Sequence, residues 1–226
     1  MNRRHLRGSS YVEFAFAALV LTPLLLGTTG IGLNLLLAYQ TSQLARDAGH
    51  MYGRGVDFSQ PGNQTILANL GSGVGLSATS GISGTAGSGN AVAVFTTVTY
   101  VDDAACQLGG YASSGVHTSA CKNFGKWVFT ERVTVGNSSM QTTQYGSPIT
   151  SGTSGVTLSS SGGVSITDQL TNTNDVATFS AINPYDKTTG YGLPSGQVIY
   201  ISEVAAKGFI LPPFQNNAVQ YAYNMF

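Results

Sequence analysis

Glu13 sits at the mouth of a long apolar stretch. No residue from Phe14 to Ala45 is charged, whereas Arg3, Arg4 and Arg7 lie just ahead of it. A carboxylate inside a bilayer costs about 2.5–3.5 kcal/mol at the centre of a helix and less towards an end. Such a group needs a cation or the positive end of a helix beside it. Other residues with chemistry to offer are few. Cys106 and Cys121 are the only cysteines, His5, His50 and His117 the only histidines, and Asp102 and Asp103 an adjacent acidic pair. Gly-x-Ser-x-Gly, His-Glu-x-x-His and Gly-x-x-x-x-Gly-Lys patterns are missing. Gly71, Gly73 and Gly75 mimic a dinucleotide loop, but no strand precedes them. Asp102 and Asp103 have the oxygen chemistry for calcium, and the commoner reading of adjacent acids is a solvated turn. The pattern predicts no catalytic residues, no cofactor and no metal site.

The apolar stretch is long enough for more than a core helix. Phe14–Tyr39 is rich in Leu, Ala, Phe and Val, and about 20 such residues cross a ~30 Å hydrocarbon core. Three arginines precede it, and only Arg46 and Arg54 follow closely, partly offset by Asp47 and Asp57. The excess of positive charge places the N-terminus in the cytoplasm, and residues from about 54 onward outside it. That outer part carries six basic residues against eight acidic, which argues against nucleic acid as a partner. A cleavable secretory signal would have an apolar core of about 7–15 residues and a small-residue cut site; this stretch is too long and lacks the site. Arg3 and Arg4 suggest a twin-arginine signal, but no cofactor motif calls for export of a folded protein.

Gly8, then four residues, then Glu13 and the aromatic Phe14 resembles the processing site of type IV prepilins. The Glu-aromatic variant, with Pro23, Leu24, Leu25, Leu26, Gly27, then Ala38, Tyr39, Gln40 and Ala45, Arg46, Asp47, Ala48, resembles the TadE-like minor pilins of the tight-adherence branch. The resemblance covers roughly residues 7 to 55. It implies a membrane prepilin peptidase that cuts after Gly8, a mature chain beginning at Ser9, and other pilin subunits of a filament as partners. It also implies that Glu13 pairs with the free α-amino group of a neighbouring subunit; the plainer alternative is a solvated first-turn carboxylate at headgroup level. The implied function is a structural, non-enzymatic subunit, held in the inner membrane and then carried to a surface pilus for adhesion. The outer region is longer and richer in Gly and Ser than a minimal subunit needs, which leaves room for a tip role against a surface or glycan. The alternative, from another class, is a membrane-anchored binding domain or adhesin that never polymerises.

The elements that must position these residues divide the chain into a basic leader over 1–8, a transmembrane and spine helix over 9–52, and a β domain over 53–226. The helix would be about 65 Å long at 1.5 Å per residue, with Gly53, Arg54 and Gly55 as its stop. Pro23, followed by Gly27, Gly30 and Gly32, could kink it. A short helix is predicted over Gln64–Leu70, capped by Asn63 and stopped by Gly71, followed by a flexible low-complexity loop from Gly71 to Asn90. A second polar loop runs from Gly146 to Gly163, and these two loops are the candidates for contacting a target.

Alternation predicts strands at Ala91–Val101, Trp127–Val135, Gln197–Val204 and Ala218–Phe226, with weaker ones near 156–158, 164–166 and 176–179. In the second of these, strict alternation puts Trp127, Phe129, Glu131, Val133 and Val135 on one face. The fold class is therefore α+β: a long N-terminal membrane-spanning helix followed by a mainly antiparallel extracytoplasmic sheet. Cys106 and Cys121 fall in the connection between the first two strands, outside the cytoplasm, where thiols oxidise. A disulfide is expected. A metal site would want more ligands than His117 between two thiols, and a redox pair would be spaced Cys-x-x-Cys. Asn63 and Asn137 head glycosylation sequons, and Gln220–Met225 resembles the end of an outer-membrane barrel, against which the membrane helix argues.

Overall fold

A computed structural model describes residues 6–79, 81–140, 143–178, 196–210 and 219–226, with side chains from residue 11 onward. The leader residues Arg3 and Arg4, Ala218 at the start of the fourth expected strand, and Phe179 at the end of a weaker one lie outside the described residues.

The chain opens on one helix, α1 (Leu6–Gly53), which runs through Pro23 without a break. Pro23 removes one backbone donor from the ladder. About a turn and a half on, the hydroxyls of Thr28 and Thr29 both donate to the Leu25 carbonyl, at 3.0 and 2.8 Å. The helix has two unlike halves. Leu, Phe, Val and Ile side chains from Val12 to Leu36 stand exposed, whereas Leu44, Ala45, Ala48 and Tyr52, spaced by one helical face, are buried against the sheet. The helix is long and apolar enough to cross a membrane.

A short helix, α2 (Pro61–Leu70), follows, then β1 (Ala91–Tyr100), α3 (Asp103–Leu108) and a small hairpin of β2 (Ala112–Ser113) and β3 (Val116–His117). Next come β4 (Trp127–Gly136), α4 (Ile166–Thr171), β5 (Val198–Lys207) and β6 (Val219–Met225). The four long strands form one antiparallel sheet in the order β4-β1-β5-β6. The α+β class and the antiparallel sheet match expectation.

Both faces of β1 are buried, as expected for a central strand. One face meets α1, α2 and the turn after it: Phe58 stacks on Phe95 with ring centroids 4.2 Å apart, and the Tyr52 hydroxyl lies 2.7 Å from Thr97 Oγ1. Fully burying a side chain such as Phe58 or Leu67 contributes about 1.5–3 kcal/mol. The other face is covered by the irregular chain between β4 and β5.

Strict alternation along β4 fails. Thr97 pairs with Glu131 but Val98 pairs with Phe129, leaving Thr130 as the extra residue of a β-bulge. Its hydroxyl donates to the Thr97 carbonyl at 3.1 Å. A bulge reverses side-chain parity across it. Val133 and Val135 therefore join the helix-side core, while Trp127 and Phe129 pack with Val98, Ile199 and Ile201 on the opposite face.

Three further expectations need correction. Asn63 does not cap α2: Gln60 is the N-cap and Pro61 opens the helix, a position where the missing proline N–H costs nothing. Asn63 Nδ2 instead donates to the Asp57 carbonyl at 2.7 Å. The stretch from Gly71 to Asn90 is irregular but tied down, since buried Gln64 donates to Gly81 O at 2.7 Å and Ser83 bridges Thr134. The weaker strands reduce to isolated bridges, Leu158 with Val164 and Val128 with Val176. Ile166 begins α4 instead, because Ser165 accepts from Asp168 N and caps it.

Candidate functional site

Gly8, Ser9 and Glu13 lie on one continuous helical segment. Glu13 lies five positions after Gly8, about 7.5 Å along the axis. Glu13 is exposed, on the bare half of α1 beside Phe14 and Phe16.

Cys106 and Cys121 form a disulfide. It joins α3 to the segment leading into β4 and packs with Val101, Val128 and Leu170 in a small core of its own. Asp102 caps α3 by accepting from Ala105 N at 2.8 Å. Asp103 accepts from the His117 backbone N–H and lies 2.7 Å from His117 Nδ1. The His117 ring stacks on Phe124 with centroids 3.5 Å apart. The adjacent acids thus serve the lobe's own structure, as cap and histidine partner. Among the described residues no three His, Cys, Asp or Glu side chains gather as a metal group. His50 packs against Phe226 at 4.5 Å between centroids, far along the chain from the other histidines.

Sequence reading missed the polar cluster on the sheet face turned away from α1. Arg132 of β4, Thr96 of β1 and Glu203 of β5 are all buried there. Arg132 Nη1 donates to Thr96 Oγ1 at 3.2 Å and to Gly146 O at 3.1 Å. Glu203 accepts from Thr143 Oγ1 at 2.8 Å, from Gln144 N at 3.1 Å and from the Tyr221 hydroxyl. Residues 143–147 therefore lie as a strap across the face, pinned at one end by the cation and at the other by the carboxylate.

Burial pushes the Arg132 guanidinium down to about 10, with Glu203 and Tyr221 pulling the other way, so it stays charged at neutral pH. Desolvation beside Tyr223 and Glu203 pushes Tyr145 up to about 12. Among the described residues the only ion pair is His117 with Asp103, so Arg132 touches no carboxylate directly. One signal in the sequence pointed here. In a chain with 9% charged residues, charges inside β-branched strands are conspicuous, and Glu131, Arg132 and Glu203 are such charges.

Comparison with protein-family models, with curated proteins and with solved structures returns no match. The residues themselves are then the guide to function.

Proposed function

We propose that this chain is a membrane-anchored, prepilin-type structural subunit of the TadE-like kind, assembled through α1 into or at the base of a tight-adherence pilus. The observation that carries the reading is the division of α1: one uninterrupted helix is apolar and exposed over its first half and docked on the sheet over its second. A cleavable signal would be separable from the fold, whereas this helix supplies Leu44, Ala48 and Tyr52 to the main core. About twenty bare apolar residues suit either a bilayer or a bundle of like helices, and a subunit that passes from one to the other uses both. The charge pattern around the span orients the sheet domain outside the cytoplasm. The motif from Gly8 to Phe14 supports cleavage before Ser9. Glu13 would then lie about one turn from a new α-amino group and within reach of the same group on a neighbour.

The test is mass spectrometry of the mature N-terminus. We expect Ser9 as the first residue, and a Gly8→Val variant that keeps its leader. Wild-type surface protein that retains Arg3 to Arg7 would overturn the reading. An anchored binding domain that never polymerises is the second reading, favoured by a cavity of about 220 Å³ at the edge of β4, whose lining includes Ser83, Thr134, Ser138 and Ser147. It predicts membrane-bound protein with no incorporation into filaments.

A further inference from the structure

Leu33, Leu36, Leu37 and Gln40 share one face of α1, at i, i+3, i+4 and i+7, and they form one wall of an open groove of about 700 Å³. The other walls are the chain leaving β5 at 207–210, the turn at 72–75, and Asn90. Hydrogen bonds fix these walls. Asn90 N donates to the Gly75 carbonyl at 2.9 Å, Lys207 N donates to the Asn90 carbonyl at 2.8 Å, and Asn34 grips the backbone N–H and carbonyl of Phe209. The groove is graded in polarity along α1. Its end nearer the N-terminus is apolar, with Leu33, Leu36, Leu37, Phe209 and Ile210, and its other end carries Gln40, Ser72, Asn90 and Lys207. Among the described residues Lys207 is the one charge on the lining; it is exposed and forms no ion pair.

The inference rests on the reading of α1 as a membrane anchor with the sheet domain outside the cytoplasm, which puts the end of the hydrocarbon near Leu33. The polar layer of a bilayer is roughly 5–8 Å deep on each side of its core. Leu36 and Leu37 stand about 5 Å beyond Leu33, and Gln40 about 10 Å, at 1.5 Å per residue. The groove therefore spans that layer from bottom to top. Tyr39, exposed next to Gln40, is a residue type enriched at this level. A phospholipid has the same order, acyl chains below and an anionic phosphate above. A second copy's α1 is the rival occupant, but from Phe14 to Ala45 it carries no charge and brings no anion to Lys207.

We propose that the groove seats one anionic phospholipid of the extracytoplasmic leaflet. Its phosphate accepts from the Lys207 ammonium and from the Gln40 and Asn90 amides, and the start of an acyl chain lies between Leu36 and Phe209. These two side chains are 54% and 44% exposed, and the lipid removes their apolar surface from water at the edge of the bilayer. The ammonium, a point charge on a flexible stem, selects a lipid with net negative charge.

The experiment is native mass spectrometry of the full-length chain, released from detergent micelles supplied with equal amounts of phosphatidylglycerol and phosphatidylethanolamine. One retained phosphatidylglycerol per chain is expected, favoured over phosphatidylethanolamine by about fivefold, the preference that one lysine near a membrane surface gives an anionic lipid. Lys207→Gln should abolish the preference and Lys207→Arg keep it. Lys207 is exposed at the end of β5, so neither change should alter thermal unfolding. Leu36→Trp, also at an exposed position, should fill the groove and remove the retained lipid. Equal retention of the two lipids by the wild type, or an undiminished preference in Lys207→Gln, overturns the phosphate contact, and lipid retained by Leu36→Trp overturns the groove. A wild-type chain that carries no lipid but runs as a dimer, split by Leu36→Trp, gives the groove to a second copy and overturns the proposal. Carbonate extraction of membranes separates these results from failure of the anchor. A chain that resists extraction yet retains no lipid refutes the lipid site alone, whereas a chain washed into the soluble fraction refutes the anchor.

Discussion

Asn34 holds the peptide unit of Phe209 by two hydrogen bonds: Phe209 N–H donates to Asn34 Oδ1 at 2.8 Å, and Asn34 Nδ2 donates to the Phe209 carbonyl at 3.1 Å. Asn34 is the amide in the middle of an apolar run, and it is 8% exposed. The sheet domain therefore reaches down α1 as far as Asn34. If the helix spans a bilayer, the part left for lipid is about residues 11–33, roughly 35 Å at 1.5 Å per residue, which is shorter than the Phe14–Tyr39 segment at its outer end and still sufficient.

Asn34→Leu removes both bonds and strands the Phe209 amide against the helix. Phe209 is itself exposed, so solvent can replace part of what is lost and the cost is that of an ordinary hydrogen bond, about 0.5–1.5 kcal/mol each; membrane insertion should be unchanged or improved. The check is hydrogen exchange at Phe209, which should accelerate at least tenfold. Unchanged protection there would mean that the contact carries no stability.

Glu13 bears on assembly. Under the proposed function, Glu13→Ala should still insert and still be cut after Gly8, because neither step needs the carboxylate. Incorporation into filaments should fall severalfold, since the charge that sets helix register against a neighbour's amine is lost. Filaments containing the variant at wild-type level would reduce Glu13 to a solvated headgroup-level residue.

The long helix, the four main strands and the cysteine pair were legible in the sequence because each depends on local pattern: an uncharged run, β-branched alternation, two thiols in one connection. What escaped reading depends on relations between distant segments. Thr130 looks like any strand threonine, and only the pairing of β4 with β1 makes it a bulge that sends Trp127 and Val133 to opposite faces. Alternation alone puts Arg132 on the face of β4 opposite Glu131 and says nothing of what covers that face. Arg132 is buried because the strap at 143–147, nearly featureless in sequence, folds over it.

The disulfide closes a connection with a sequence separation of 15, worth about 3 kcal/mol in the chain-entropy model. A Cys106→Ser, Cys121→Ser double variant should loosen α3 and the β2–β3 hairpin while the main sheet, which packs through other clusters, survives. Alkylation of denatured wild-type protein without reductant should add no mass, whereas reduction first should label both thiols. Labelling before reduction would contradict the bond.

Gly49 lets α1 pack close against the sheet: a Cβ there would run into the Phe226 ring, with Ser202 Cβ 3.1 Å away. Phe226 cannot simply retreat, because it exchanges backbone hydrogen bonds with Tyr200 at 3.0 and 3.1 Å. Gly49→Ala should therefore destabilise by about 1–3 kcal/mol through overpacking, despite alanine's better helix propensity, and Phe226→Ala in the same chain should recover part of the loss. A more stable Gly49→Ala single variant by thermal unfolding would show that the ring yields freely.

Asp175 should give the protein a measurable pH dependence. Its side chain is fully buried, and neither carboxyl oxygen has a hydrogen-bond partner among the described residues. Desolvation, with Asp168 adding repulsion, pushes it up from 3.8 to about 8. Below about 4 the carboxyl is neutral in both folded and unfolded chains and costs nothing. Between there and about 8 the unfolded chain releases the proton while the fold keeps it, so stability falls as pH rises, by at most about 1.4 kcal/mol per pH unit. Above 8 both states are charged and the loss is complete. Glu131, also raised by burial, contributes in the same sense, so the decisive quantity is the difference between wild type and Asp175→Asn. Asparagine has no charge to lose, so the variant should gain on the wild type steadily from pH 4 to pH 8 in denaturant or thermal titrations. Parallel stability curves for the two across that window would mean that Asp175 is ionised in the fold and finds its compensation in solvent.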